Sequence, residues 1–178
     1  MTHSRALMRV RGRCYGARMD AAQLIGTMRA AGVSLATAES LTGGQLAAAV
    51  TAVPGASAAY LGGVVSYATE VKVAVLGVPR DVVDGVGAVS AECAVAMARG
   101  VRTLLGASYG VSTTGVAGPE QQEGKPVGRV HLAVAGPSGE ATRQLDLPGD
   151  RAAVQQGAVD AALALIGEML PREQGGLR

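Results

Sequence analysis

The chain has 178 residues, 48% of them hydrophobic, which is the size of one domain able to bury a sizeable core. Sixteen basic residues against fourteen acidic ones leave a formal charge of +2, too balanced for a broad nucleic-acid or membrane-surface footprint. Cys14, Cys93, His3 and His131 supply neither a disulfide framework nor the paired spacing of a zinc site.

No apolar run approaches the roughly 18 residues of a spanning helix, and the basic start lacks the apolar stretch of a signal peptide. The sequence therefore predicts a cytoplasmic protein with no metal, no cofactor, and neither membrane nor nucleic acid as a partner. Phe and Trp are absent, so the core must be built from Ala, Val, Leu, Ile and Met. Residues 1–18 carry five arginines without apolar periodicity and read as a loose tail or an extended start; 171–178 read as a frayed end. The domain proper is expected over 19–170.

Asp20 is a good N-cap, followed at helical spacing by Leu24, Ile25, Met28 and Ala31 before Gly32 stops the helix. Residues 33–38 read as a short buried strand running into the polar turn 39–44, and 45–53 as an Ala-rich helix ended by Pro54 and Gly55. The Val/Gly-rich run 60–67 reads as a second buried strand. Thr69 is placed to cap a short helix, and 79–83 to form one more helical turn ended by Gly85 and Gly87. Ser90 caps a stronger helix with Ala94, Met97, Val101 and Leu104 on one stripe, ending at Gly106. A strand over 109–113, a Gly/Pro-rich loop over 115–128 and an alternating, half-exposed strand over 129–135 follow. Pro137, Ser138 and Gly139 turn that strand into a return strand over 141–147, and Asp150 opens a last helix with Val154, Ala158, Ala161, Leu165 and Met169 inward. The predicted class is α/β: a single three-layer domain with a mixed β-sheet covered by helices.

The turn from Glu39 to Gly44 leaves a strand and enters a helix, where backbone N–H groups lack partners and an anion is welcome. Ser40 there is a candidate nucleophile, with the N–H groups of Thr42, Gly43, Gly44 and their neighbours to hold an oxyanion; simple N-capping is the competing reading. A Ser-His-Asp triad is poorly supported, because His131 is the one histidine within the fold and reads as a strand residue with a local partner. Lys72 is the better base. It stands in the first turn of its helix, where the dipole disfavours the charged form, while Glu70 pushes the other way; a solvated surface lysine is the alternative. Tyr67 offers a hydroxyl between amine and substrate as a proton relay, or an ordinary half-buried tyrosine. The turn from Thr114 and Gly115 to Pro119 can approach a ligand closely, or be an ordinary loop. Arg151, in the first turn of the last helix, suits a ligand phosphate or carboxylate, or pairs with Asp150. Cys93 and Met97 read as core.

Six ordered blocks, Thr37 to Gly44, Gly63 to Tyr67 with Glu70 and Lys72, Gly87 to Ser90, Thr114 to Pro119, Pro126 to Gly128, and Gly149 to Arg151, together span about 20–170. In these blocks the chain resembles the CinA C-terminal domain family, the nicotinamide mononucleotide deamidases. The resemblance implies Ser40 as nucleophile, Tyr67 and Lys72 as the residues that activate it, and Thr114 and Arg151 on the substrate side. It further implies conversion of nicotinamide mononucleotide, a small-molecule nucleotide, to nicotinic acid mononucleotide and ammonia, a step of pyridine nucleotide salvage. The larger N-terminal domain of many relatives has no counterpart in the blocks, so a stand-alone deamidase is expected. Thr69 stands where the family often has Asn, and Glu120 where a smaller residue or Asp is usual. Two rival classes are a non-catalytic nucleotide-binding module, which has no need of the Ser40, Tyr67 and Lys72 set, and a structural oligomerisation domain, which leaves the ordered blocks unexplained. The sequence leaves a homo-oligomer open.

Overall fold

The computed structural model describes residues 19–170; the expected tail at 1–18, with His3 and Cys14, and the expected frayed end at 171–178 lie outside the described residues. In chain order the elements are α1 (Ala21–Ala31), β1 (Leu35–Glu39), α2 (Gln45–Thr51), β2 (Tyr60–Val65), α3 (Thr69–Leu76), α4 (Arg80–Val86), α5 (Ala91–Leu105), β3 (Tyr109–Gly115), β4 (Arg129–Gly136), β5 (Gly139–Asp146) and α6 (Arg151–Met169).

Helix starts follow the capping chemistry of the sequence. Asp20 accepts from the Gln23 N–H at 2.8 Å while the Gln23 side chain accepts from the Asp20 N–H at 3.1 Å, a reciprocal cap worth about 1 kcal/mol. Ser90 and Asp150 accept from the N–H groups of Cys93 and Ala153 in the same way. Thr69 does not: Ala68 is the N-cap of α3, Thr69 is its first residue, and no side chain caps that end.

The sheet has the order β2-β1-β3-β4-β5. β1 runs parallel to β2 and β3, and β4 and β5 complete the sheet as an antiparallel hairpin. Helices α1, α2 and α6 cover one face over a core that includes Leu24, Met28, Leu46, Leu132 and Ile166. The other face is covered by α3, α4 and α5 through Ala36, Ala38, Val78, Met97, Val101 and, further along the sheet, Ala94, Ala98 and Ala133. This is the expected three-layer mixed α/β domain. No helix among the described residues is long and apolar enough to cross a membrane.

Burial departs from expectation where local sequence carries no information about neighbours. β2 is an edge strand that alternates sides, with Leu61 and Val65 each 49% exposed, because it pairs with β1 alone. β4 is buried on both faces rather than half-exposed, since strands flank it and α5 and α6 cover it. Ala31 and Leu104, expected on inward stripes, are exposed, and Cys93 and Ala98 take the inward positions of α5.

His131 corrects another expectation, because its Nδ1 is buried with no hydrogen-bond partner among the described residues. Burial, reinforced by Arg129, holds its imidazole below the ordinary value of 6.5; Lys125 adds to this, and Glu92 and Asp146 oppose it. The unfolded chain then binds this proton more readily than the folded one. Stability from His131 is therefore full above pH 6.5 and is lost as pH falls from there through the folded-state value. His131→Leu removes the titration and the unpaired atom together. We expect its melting temperature to fall less between pH 7 and pH 5 than that of the wild type. Superimposable pH profiles would remove His131 from the acid response.

Candidate active site

The carboxyl ends of β1, β2 and β3 lie together at the point where the chain leaves β1 for β2 on one side and later returns to β3 on the other. Open α/β sheets bind ligands at such a switch point. The residue after β1 is Ser40, the residues after β2 are Ser66 and Tyr67, and β3 ends in Thr114 and Gly115. Ser40, Tyr67, Lys72, Thr114, Gly115 and Arg151 all line one small cleft there.

Ser40 is fixed by a bond from its N–H to the Thr113 carbonyl at 2.9 Å, and the Gly43 N–H closes the turn onto its own carbonyl at 3.1 Å. The turn needs glycine at 43 and 44, whose φ values are +58° and +100°. From α6, the Gln155 amide donates to the Leu41 carbonyl at 2.7 Å. The nucleophile candidate thus sits on a turn tied to β3 and α6.

Lys72 is the largest fully buried side chain, only 2% exposed. Its Nζ is 3.0 Å from Ser40 Oγ and 2.8 Å from the Ser66 carbonyl. Burial pushes the amine below the ordinary lysine value, and the nearby Cys93 thiol and Glu123 carboxylate pull it partly back. The neutral amine can keep one N–H on Ser66 and turn its lone pair to Ser40, whose hydroxyl then donates. Glu70 does not oppose this as expected, because it faces solvent in an ion pair with Arg80 at 2.5 Å.

The other sequence-predicted residues divide. Thr114 donates to the Ala88 carbonyl at 2.7 Å, holding the segment before α5 against β3. At Gly115 a Cβ would stand 2.5 Å from the Arg129 carbonyl, so only glycine fits. Among the described residues Arg151 pairs neither with Asp150, which caps α6, nor with another acid. It donates to the Tyr67 hydroxyl at 2.6 Å and to the Gly118 carbonyl at 2.7 Å, spanning the cleft mouth. Tyr67 is 60% exposed rather than half-buried and bonds to Arg151, not to Lys72 or Ser40.

Thr42, Gly43 and Gly44 do not line the cleft. Thr42 is buried, its hydroxyl shared between Glu39 at 2.7 Å and Thr113 at 2.8 Å. The expected anion site at the start of α2 is already filled, because the buried Glu39 carboxylate accepts from the N–H groups of Gly44, Leu46 and Ala47 at 2.8–3.0 Å. With the amides of Ser40, Gly43 and Gln45 also engaged, Leu41 and Thr42 hold the turn's remaining N–H groups. Sequence reading placed Glu39 in the turn without a role, although an acid just ahead of a helix start is a dipole signal. It also gave none to Ser66, whose contribution is a backbone carbonyl.

A larger, shallower groove of about 420 Å³ at the carboxyl end of α2 is lined by residues 51–57 and Tyr60. Its one titratable side chain, Tyr60, is bonded to Thr37 at 2.7 Å, so the chemistry belongs to the cleft at Ser40. Among the described residues no group of three or more His, Cys, Asp or Glu is gathered as a metal site would need.

The CinA C-terminal domain family matches residues 18–170. The chain belongs to that family. It is 52% identical over 158 residues to a CinA-like protein of Frankia casuarinae, covering 88% of this chain and 36% of the relative. It therefore spans about a third of the length of the curated relatives it matches. Among solved structures of the CinA superfamily, the competence/damage inducible protein CihA of Agrobacterium tumefaciens superposes with a TM-score of 0.82 at 31% identity, covering 89% of this chain and 99% of that one. The CinA superfamily protein of Klebsiella pneumoniae superposes at 0.81 with 38% identity, covering 83% and 93%. In this CinA domain, the family match and the cleft at Ser40 coincide on the same ordered segment.

Proposed function

We propose that this CinA domain is an amidohydrolase that converts nicotinamide mononucleotide to nicotinic acid mononucleotide and ammonia, with Ser40 as nucleophile and Lys72 as base. The observation that carries the reading is the 3.0 Å contact between Ser40 Oγ and an amine that is only 2% exposed. A phosphate-binding module has no use for a buried lysine aimed at a serine. Burial shifts that lysine toward the neutral form that can take a proton.

Ser40 Oγ forms a bond to the carboxamide carbon as its proton passes to Lys72 Nζ. The tetrahedral oxyanion is held by free amides of the turn, Leu41 first, since it lines the cleft. The proton goes to the leaving nitrogen, the C–N bond breaks, and ammonia departs. Water, deprotonated by the same amine, then splits the acyl-serine to the acid and restores Ser40. Tyr67 keeps its own hydroxyl hydrogen while accepting from Arg151, so it can donate to substrate or leaving group at the cleft rim. Arg151 offers its guanidinium to the nucleotide phosphate.

The test is ammonia release from a substrate panel. Nicotinamide mononucleotide is expected to exceed free nicotinamide in kcat/KM by about a hundredfold, because only the nucleotide engages Arg151 with a charge-assisted pair. Saturable nucleotide binding without ammonia from any pyridine carboxamide would instead mark a binding module.

A further inference from the structure

Glu39 is joined to both halves of the reacting pair. Its carboxylate, at the end of the interior strand β1 and 1% exposed, accepts from Thr42 Oγ1 at 2.7 Å and from the Gly44, Leu46 and Ala47 amides. Three of these four donors go to Oε2 and one to Oε1. Its backbone carbonyl accepts from the Ser66 N–H at 2.8 Å, with the Ser66 hydroxyl at 3.4 Å, and the Ser66 carbonyl accepts from Lys72 Nζ.

We propose that Glu39 is the positioning residue of this site, its side chain setting the Ser40 turn against α2 and its main chain setting Ser66, which holds Lys72. An apolar residue here would leave three amides without acceptors, that of Leu46 fully buried, while the Thr42 hydroxyl kept only Thr113, and the turn would rearrange to satisfy them. Glutamine is nearly isosteric, yet either placement of its NH2 sets donor against donor, at Oε2 with the Gly44 and Leu46 amides or at Oε1 with that of Ala47. Since Ser40 is the next residue, that mismatch displaces the nucleophile itself. Glu39 does not line the cleft, and by filling the start of α2 it leaves Arg151 as the group for a ligand anion.

This inference rests on Ser40 being the nucleophile, so the experiment separates the two. Purified wild type and Glu39→Gln are treated with a small fluorophosphonate, in which Ser40 Oγ bonds to phosphorus, fluoride leaves and the hydroxyl proton goes to Lys72. Labelling at Ser40 is timed by intact mass, and nicotinamide mononucleotide turnover is measured in parallel below the melting temperature of both proteins. The expected result for Glu39→Gln is labelling and kcat both lower by about a hundredfold with KM within about threefold, a split that a purely structural loss would not produce. Labelling of folded Glu39→Gln within about threefold of wild type would overturn the proposal. If that variant does not fold, Thr42→Val removes a single donor to the carboxylate. A labelling rate lower by about fivefold supports the role, and an unchanged rate overturns it. Wild type that is labelled but does not turn over the nucleotide overturns the substrate reading and leaves the labelling ratio to decide Glu39. Wild type that is not labelled at Ser40 overturns both.

Discussion

Lys72→Arg is expected to lose about a thousandfold in kcat, the scale of a positioned general base. Arginine retains the charge but stays protonated at any usable pH, so it can stabilise an anion and cannot accept the Ser40 proton. The sign of the pH dependence follows. Only the neutral amine is competent, so wild-type kcat/KM should rise with pH through the lysine's folded-state value. Burial lowers that value, bringing the limb below the ordinary lysine value of 10.5. Arginine's larger head must also fit a site where Nζ already contacts both Ser40 and the Ser66 carbonyl. The variant is therefore compared after circular dichroism and ligand binding match wild type. Under that control, a Lys72→Arg enzyme with most of the wild-type rate would reduce Lys72 to a fixed charge.

Gly100→Ala carries the second large effect, on the scaffold that presents the lysine. A Cβ at Gly100 would stand 1.9 Å from the Leu76 carbonyl oxygen and 2.8 Å from its carbon, both backbone atoms at the end of α3. Backbone in the last turn of a helix cannot move aside as a flexible side chain can. Relieving the overlap must push α3 off α5 and draw Lys72 away from Ser40. Overpacking of this kind costs about 3 kcal/mol. For a chain of this length that corresponds to a fall of about 6–12 °C in melting temperature. Gly85 is the control, since a Cβ there meets nothing within 4 Å; Gly85→Ala in α4 should be neutral or stabilising by up to about 1 kcal/mol. Equal melting curves for Gly100→Ala and wild type would contradict the close packing of α3 on α5.

Three of the four capping signals were legible because they are local; Thr69 is the first residue of α3 rather than its cap. Asp20, Ser90 and Asp150 each cap the helix that the sequence assigns to them. The hairpin of β4 and β5 followed from Pro137 to Gly139 for the same reason. Strand burial was less legible, because it depends on which strand lies alongside. β2 has the Val/Gly composition of an interior strand and lies at the edge, whereas β4 alternates in sequence and is covered on both faces. In the site, the apposition of Ser40 and Lys72 across 32 residues rests on the resemblance and on the strand-end turns, since neither residue announces the other. Glu39 shows the limit. Local reasoning correctly found a helix start that attracts an anion, but not that the preceding side chain reaches back to fill it.

Ammonia release from nicotinamide mononucleotide by wild type and by Ser40→Ala tests the central claim most directly. Alanine removes only the hydroxyl, so Lys72, the cleft and Arg151 should remain in place and the nucleotide should still bind. The account predicts a loss of at least about ten-thousandfold in kcat with dissociation constants within about threefold, as for removal of a covalent nucleophile. Equal rates in the two proteins would contradict it.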